Sequence, residues 1–363
     1  MTKLTVIGTK ELREAIITAS KLAPKKSLRH EVMCVYLKFE PNKTTVAATD
    51  TVSRRRFTIP MPNEGILKEV LIPAGLLASS IGSFEDYQIA LKLDSIVLFD
   101  DKRRVELMTM RAGDFPIQDV ILDNIVDIDA DMLRNTLIKG RISANKGEGN
   151  PVHSGVCLRM GGGFVCVEST DSRRATKCGF AFDSELEGTA ILPPSTVDCM
   201  IDLLSSHKSA LIGLDSQKII LCAGSEMLES SLISGKFPNV ERVIPKDFTK
   251  SLKIDAKELL RELKTIMPLL VVDEYRVTLE MNGGGCSISA KDNTGNSCKI
   301  NLQAEFDGDA EGFTFHLNAN YLADAIKHVE QDALLFFTED KYPVRISSPT
   351  GECNTALMPM SIG

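Results

Sequence analysis

Residues 235–245 read GKFPNVERVIP, a Phe-Pro pair followed by a short run of mixed apolar and charged residues. The same punctuation stands earlier as GDFPIQDV at 113–120, and the chain closes on LMPMSIG at 357–363. Pro116, Pro238 and Pro359 are separated by 122 and 121 residues in a chain of 363, three times 121. Internal periodicity takes precedence over local patterns, because overlooking it misassigns the whole fold. A second set of markers keeps the register: TVAATD ends at Asp50, CVESTD at Asp171 and SISAKD at Asp292, at intervals of 121 and 121.

Just upstream of each aspartate lies a tight turn, PNK at 41–43 and GGG at 161–163 and 283–285, between alternating runs such as VCLRM and FVCVEST. Glycine or asparagine supplies the positive φ that a short hairpin requires. A glycine-rich phosphate loop needs a strand before it and a helix after it, and here strands flank both sides. Each copy opens with helical periodicity. The first has Leu12, Ala15, Ile16, Ala19, Leu22 and Ala23; the second has Met132, Leu133, Leu137 and Ile138; the third has Leu259, Leu260, Leu263, Ile266 and Met267, stopped by Pro268. A second helix is expected in mid-copy at 73–84, 194–206 and 318–329, with Pro73 and Pro194 suited to a first turn. The remainder alternates as short antiparallel strands. The expected class is α+β: three tandem copies of a helix-plus-antiparallel-sheet domain, at 1–122, 123–246 and 247–363, with the Phe-Pro pair marking each exit.

Composition is that of an ordinary globular chain, with 43% hydrophobic and 25% charged residues. No 18-residue apolar stretch occurs, so no membrane span is expected. The opening MTKLTVIGTKELREA does not read as a signal peptide, and nine scattered cysteines without a CxxC pair read as reduced, mostly buried thiols. A cytoplasmic protein is expected. Net charge is −7, but residues 1–30 hold seven Lys/Arg against two acidic residues, 131–150 four against two, and 246–265 six against four. Any one such stretch reads as a solvated helix face. Three at matching places in a repeat suggest a basic surface for a phosphate backbone on an otherwise acidic protein.

These residues carry a resemblance to the bacterial DNA polymerase beta sliding clamp family. It runs over essentially the whole chain, on ATD (48–50), STDSRR (169–174), GDFP (113–116), GKFPNVERVIP (235–245), LNANYLADAI (317–326) and MPM (358–360). It implies the DNA clamp fold and a homodimeric ring of six similar domains encircling double-stranded DNA. Such a ring tethers the replicative polymerase and does no chemistry. The implied partners are DNA without sequence preference, the replicative DNA polymerase, the clamp loader, and repair and translesion polymerases through short linear peptides. A clamp-fold peptide-binding scaffold that does not encircle DNA is the alternative.

Carried across by motif, the partner-peptide groove includes His153, Thr170, Ser172, Arg173, Arg174 and Ala175. It continues with Pro238, Val243, Ala356, Leu357, Met358, Pro359 and Met360. Met358 and Met360 also suit an edge strand packed into the third copy. The family's usual run after Thr-Asp is Gly-His-Arg-Leu, whereas this chain has Ser172, Arg173, Arg174 and Ala175, which implies a changed peptide preference. Expected DNA contacts are Lys25, Lys26 and Arg29, with Arg141, Lys146 and Lys264 in the later copies; each also reads as a solvated surface charge. The resemblance places a dimer seam at Val105 and Leu107 against Leu269 and Leu270, with core packing as the competing role.

An enzyme is not expected. Asp50, Asp171 and Asp292 recur once per domain, whereas catalytic carboxylates act at near-contact distances, so turn formation is their expected role. His30, His153, His207, His316 and His328 have no metal-ligand spacing, and no GxSxG or Walker pattern occurs. No cofactor is implied.

Overall fold

The computed structural model describes residues 4–62, 67–113, 115–117, 124–145, 149–270, 275–282, 285–292, 294–309 and 313–361. The element order repeats. The first copy runs helix Lys10–Ser20, hairpin Cys34–Glu40 and Lys43–Thr49, strands Ser53–Pro60 and Lys68–Pro73, then helix Ala74–Ile81 and three further strands. The second runs helix Ala130–Gly140, hairpin Val156–Gly161 and Phe164–Thr170, strands Arg174–Ala181 and Gly188–Leu192, helix Pro194–Leu204 and three strands. The third has helices Ala256–Ile266 and Ala319–Ile326 at the corresponding places. The chain is α+β throughout.

Packing divides the chain into two compact units, residues 1–131 with 198–232, and residues 132–197 with 233–363. In the first unit an eight-stranded sheet joins the first copy to part of the second, through Ser53–Pro60 paired antiparallel with Glu226–Ser231. In the second unit a nine-stranded sheet is joined in the same way by Arg174–Ala181 and Cys353–Leu357. Each unit also holds a separate four-stranded antiparallel sheet.

The alternation in the first hairpin buries both of its faces. Val35, Leu37 and Phe39 meet Leu12 and Ile16 of the first helix and Leu77 and Ile81 of the second. Cys34 and Tyr36 point the other way and are covered by Phe115, whose ring stacks on Tyr36 at 5.2 Å. Such a pair contributes about 0.5–1.5 kcal/mol beyond its burial. Phe237 is buried likewise, with Cys157, Ala175, Ile191 and Val240. The Phe-Pro punctuation thus places an aromatic anchor that fastens each exit segment to the sheet it leaves.

Turn chemistry follows the sequence in part: in the first turn, between Glu40 and Lys43, Asn42 lacks the expected positive φ, and Gly283 and Gly284 of the third turn lie outside the described residues. Gly161, Gly162 and Gly163 all have positive φ, and the strands on either side pair at Gly161 and Phe164. The repeated aspartates cap turns: Asp50 Oδ1 accepts from the backbone of Val52 and Ser53, Asp171 Oδ1 from Arg173 and Arg174, and Asp292 Oδ1 from Thr294 and Asn296.

Two expectations are corrected. Pro73 caps its helix from the end of the preceding strand instead of entering the first turn. Cys178 and Cys353 are disulfide-bonded, not reduced, because the pairing of Arg174–Ala181 with Cys353–Leu357 sets them opposite each other with Cα atoms 4.1 Å apart.

Candidate functional site

The site lies in the second unit, where the strand pair 174–181 and 353–357 meets the segment after Phe237. Its register sets Ala175 opposite Ala356 and Thr176 opposite Thr355, and the hydroxyls of the two threonines lie 3.0 Å apart. Met358 N donates to Arg173 O at 3.0 Å, carrying the ladder one step past the strand end. The turn that leads into Arg174 is held by Thr170 Oγ1, which accepts from Ser172 N and donates to Arg174 O. Ser172 has φ 73°, a left-handed conformation that glycine adopts without cost. Ser172 holds this turn while its Oγ lies 3.4 Å from His153 Nδ1. His153 comes from the short helix Pro151–Ser154, capped by Asn150.

These elements enclose a cavity of about 210 Å³ lined by His153, Thr170, Ser172, Arg173, Arg174, Ala175, Pro238, Val243, Ala356 and Met358. Two apolar side chains stand exposed at its rim, Val243 at 48% and Met358 at 47%. The walls combine small apolar side chains with a few polar groups, the usual make-up of a ligand pocket. Arg174 is committed elsewhere: its guanidinium bonds Asp171 and Asp324, both at 2.9 Å, and stacks over Tyr321. Burial pushes the Asp324 carboxyl up, but hydrogen bonds from Lys327 and Arg174 outweigh this and hold it below the usual aspartate value.

Three motif-placed residues lie elsewhere. Leu357 points away from the cavity into the third copy's core, because side chains alternate along its strand and Ala356 takes the cavity side. Pro359 and Met360 line an adjoining open depression of about 850 Å³ with Phe313 and His316. Conversely, Asn239, Val240 and Pro343 line the cavity without having been singled out. Pro343 arrives through the pairing of Val344 with Leu357, a contact that carries no local motif.

Among the candidate DNA contacts, Lys25, Lys26, Arg29 and Lys264 are exposed and Arg141 is half-buried. Arg29 Nε bonds Glu31 at 2.6 Å. Lys146 lies outside the described residues. At the candidate seam, Arg104–Met108 is the edge strand of its four-stranded sheet. Leu107, however, is 2% exposed and belongs to the core, with Val105 half-buried beside it. Leu269 and Leu270 are half-buried just after helix Ala256–Ile266.

Tandem α+β copies, joined by sheets that run from one copy into the next, define the DNA clamp fold. The model of the DNA polymerase III beta subunit central domain matches residues 127–239, and that of its C-terminal domain matches residues 241–361. The chain belongs to the DNA polymerase III beta subunit family. The beta sliding clamp of Rickettsia bellii is 22% identical over 365 residues, covering 95% of each chain. In fold, the chain superposes on the Thermotoga maritima beta subunit with TM-score 0.91 at 19% identity, covering 99% of this chain and 100% of that one. It superposes on a Pseudomonas aeruginosa clamp bound to griselimycin with TM-score 0.93 at 18% identity and the same coverage.

Proposed function

We propose that the chain acts as a DNA sliding clamp: two copies close a ring around duplex DNA, and polymerases are held by short linear peptides seated in the 210 Å³ cavity. Each chain would contribute three domains, at 1–122, 123–246 and 247–363. The cavity beside the strand pair 174–181 and 353–357 carries this reading. The thioether of Met358 adapts to varied apolar anchors, and Val243 faces solvent as a second apolar contact. A P. aeruginosa clamp of the same fold is bound to griselimycin, which supports a ligand site on this fold without placing it.

A ring retains DNA by topology, so it needs only weak contacts with phosphate. Strong pairing would make binding salt-sensitive and slow sliding. The exposed Lys25, Lys26, Arg29 and Lys264, with Arg141, are the proposed contacts, and the net charge of −7 disfavours DNA elsewhere on the surface. For dimerisation, edge strand Arg104–Met108 offers an unpaired backbone edge that a second chain can extend. Val105, Leu269 and Leu270 would then pack at the seam, while Leu107 supports the strand from within. Nothing in this function requires catalysis.

Retention on DNA tests it. Protein loaded by a bacterial clamp loader with ATP should stay on nicked circular plasmid through gel filtration and be lost after linearisation. Equal loss from both forms would instead favour a peptide-binding scaffold that does not encircle DNA.

A further inference from the structure

The first unit repeats, position by position, the turn and strand seam that build the cavity of the second. Thr49 Oγ1 accepts from Thr51 N at 3.0 Å and donates to Ser53 O at 2.7 Å, as Thr170 does with Ser172 and Arg174. Thr51 has φ 81° where Ser172 has 73°. Ser231 N donates to Val52 O at 3.0 Å, matching Met358 N to Arg173 O. The result is a second cavity, of about 240 Å³.

The frame is the same and the contents are different. The facing pair Ala175 and Ala356 is replaced by Arg54 and Glu229, which sit opposite each other in the ladder and form an ion pair. Lys218 Nζ lies 2.8 Å from the other oxygen of Glu229. Arg29, beside the short helical turn His30–Met33 that corresponds to Pro151–Ser154, lines the same cavity. Three cations thus line a space whose counterpart is lined at its centre by small apolar side chains; Glu229 is shared by Arg54 and Lys218, and Arg29 is paired with Glu31. An apolar anchor entering here would strip water from the ion pair without replacing its partners.

We propose that this cavity is a second ligand site, selective for acidic linear peptides. The proposal rests on reading the cavity of the second unit as a peptide site. A peptide carboxylate would join Arg29 and Lys218, while Val52, 42% exposed, and Pro116 meet an adjacent apolar side chain. Glu229 favours a peptide over nucleic acid, because a carboxylate between the cations repels a run of phosphates but tolerates a single carboxylate. One chain would then read two peptide chemistries, apolar at one seam and acidic at the other.

Calorimetry on the full chain tests this with two probes, acetyl-Ala-Leu-Asp-Leu-Ala-amide and acetyl-Ala-Leu-Phe-Leu-amide. Both should bind without competing. Arg29→Ala and Lys218→Ala should each weaken the acidic probe about fivefold or more, the size of one lost charge-assisted hydrogen bond, and leave the apolar probe unchanged. Arg29 is an exposed side chain, so its variant isolates the charge from any folding defect. Absent binding of the acidic probe, binding indifferent to both variants, or mutual competition would each overturn the proposal; duplex DNA, for which Arg29 is also a proposed contact, is left out of the titration. The apolar probe reports separately on the other cavity, where Met358→Glu should abolish its binding. If Met358→Glu leaves it intact, the peptide reading of that cavity fails on its own.

Discussion

Arg174 Nη1 lies 2.9 Å from Asp324 Oδ2, joining the strand that opens the cavity to helix Ala319–Ile326, 150 residues further along the chain. The arginine side chain is 5% exposed and the aspartate 22%, so water screens the pair little. Hydrogen bonds from Lys327 and Arg174 hold the Asp324 carboxyl below its usual value against the opposing effect of burial. A carboxyl with a folded value below its unfolded value of about 3.9 stabilises the protein above that pH, and loses the contribution as pH falls through the folded value. Asp324→Asn should therefore cost about 1–2 kcal/mol at neutral pH. Thermal melts of both proteins from neutral pH down to about pH 2.5 check the sign, since the gap should close in acid. A gap independent of pH would mean that the charge contributes nothing.

The seam of the first unit contains a more deeply buried pair. Arg55 Nε meets Glu226 Oε1 at 2.5 Å with side chains 3% and 9% exposed, and Arg55 Nη1 meets the half-exposed Asp202 at 2.7 Å. Removing Glu226 leaves a buried guanidinium short of a partner, so Glu226→Ala should destabilise by about 3–5 kcal/mol. Asp202→Ala, at the solvent edge, should cost less than about 1 kcal/mol. Urea unfolding of the two variants measures the difference. Equal costs would show that water reaches Arg55.

The period of 121 was legible because it is written in turn chemistry, where Asp50, Asp171 and Asp292 each cap a local turn within four residues. The cavity was legible where a motif is contiguous, as in Thr170 to Ala175, and blurred where only the fold decides. Ala356 and Leu357 share one motif, but alternation sends one to the cavity and the other to the core. Leu107 likewise fits an edge strand or a core by sequence, and only the packing of its sheet on the helices assigns it to the core. Pro343, the Arg54–Glu229 pair and the disulfide all depend on strand pairings between distant segments, and no window of sequence contains both partners.

The disulfide has its own test. Cys178 and Cys353 close a loop with a sequence separation of 175 in the same ladder that frames the cavity. Denatured, unreduced protein should take up seven alkyl groups, one for each free cysteine, and all nine cysteines should react after reduction. Cys353→Ser should lower stability by about 2–4 kcal/mol under oxidising conditions and change little in reductant. Nine alkyl groups without reductant would show that the two thiols are adjacent but unbonded.

The difference between the two cavities can be transplanted. Ala175 and Ala356 face each other in the second unit where Arg54 and Glu229 face each other in the first. Ala175→Arg with Ala356→Glu should fill the apolar space with an ion pair and weaken apolar peptides by about tenfold or more, because the anchor must then compete with the pair for the same space. Ala175→Arg alone should destabilise the fold, since Ala175 is 2% exposed and the new charge would have no carboxylate opposite it. The paired variant should recover most of that stability without recovering affinity, a separation that calorimetry and thermal melts resolve on the same samples. Wild-type affinity in the paired variant would show that apolar peptides do not enter beside Ala175, and would move their site to the neighbouring depression lined by Pro359 and Met360.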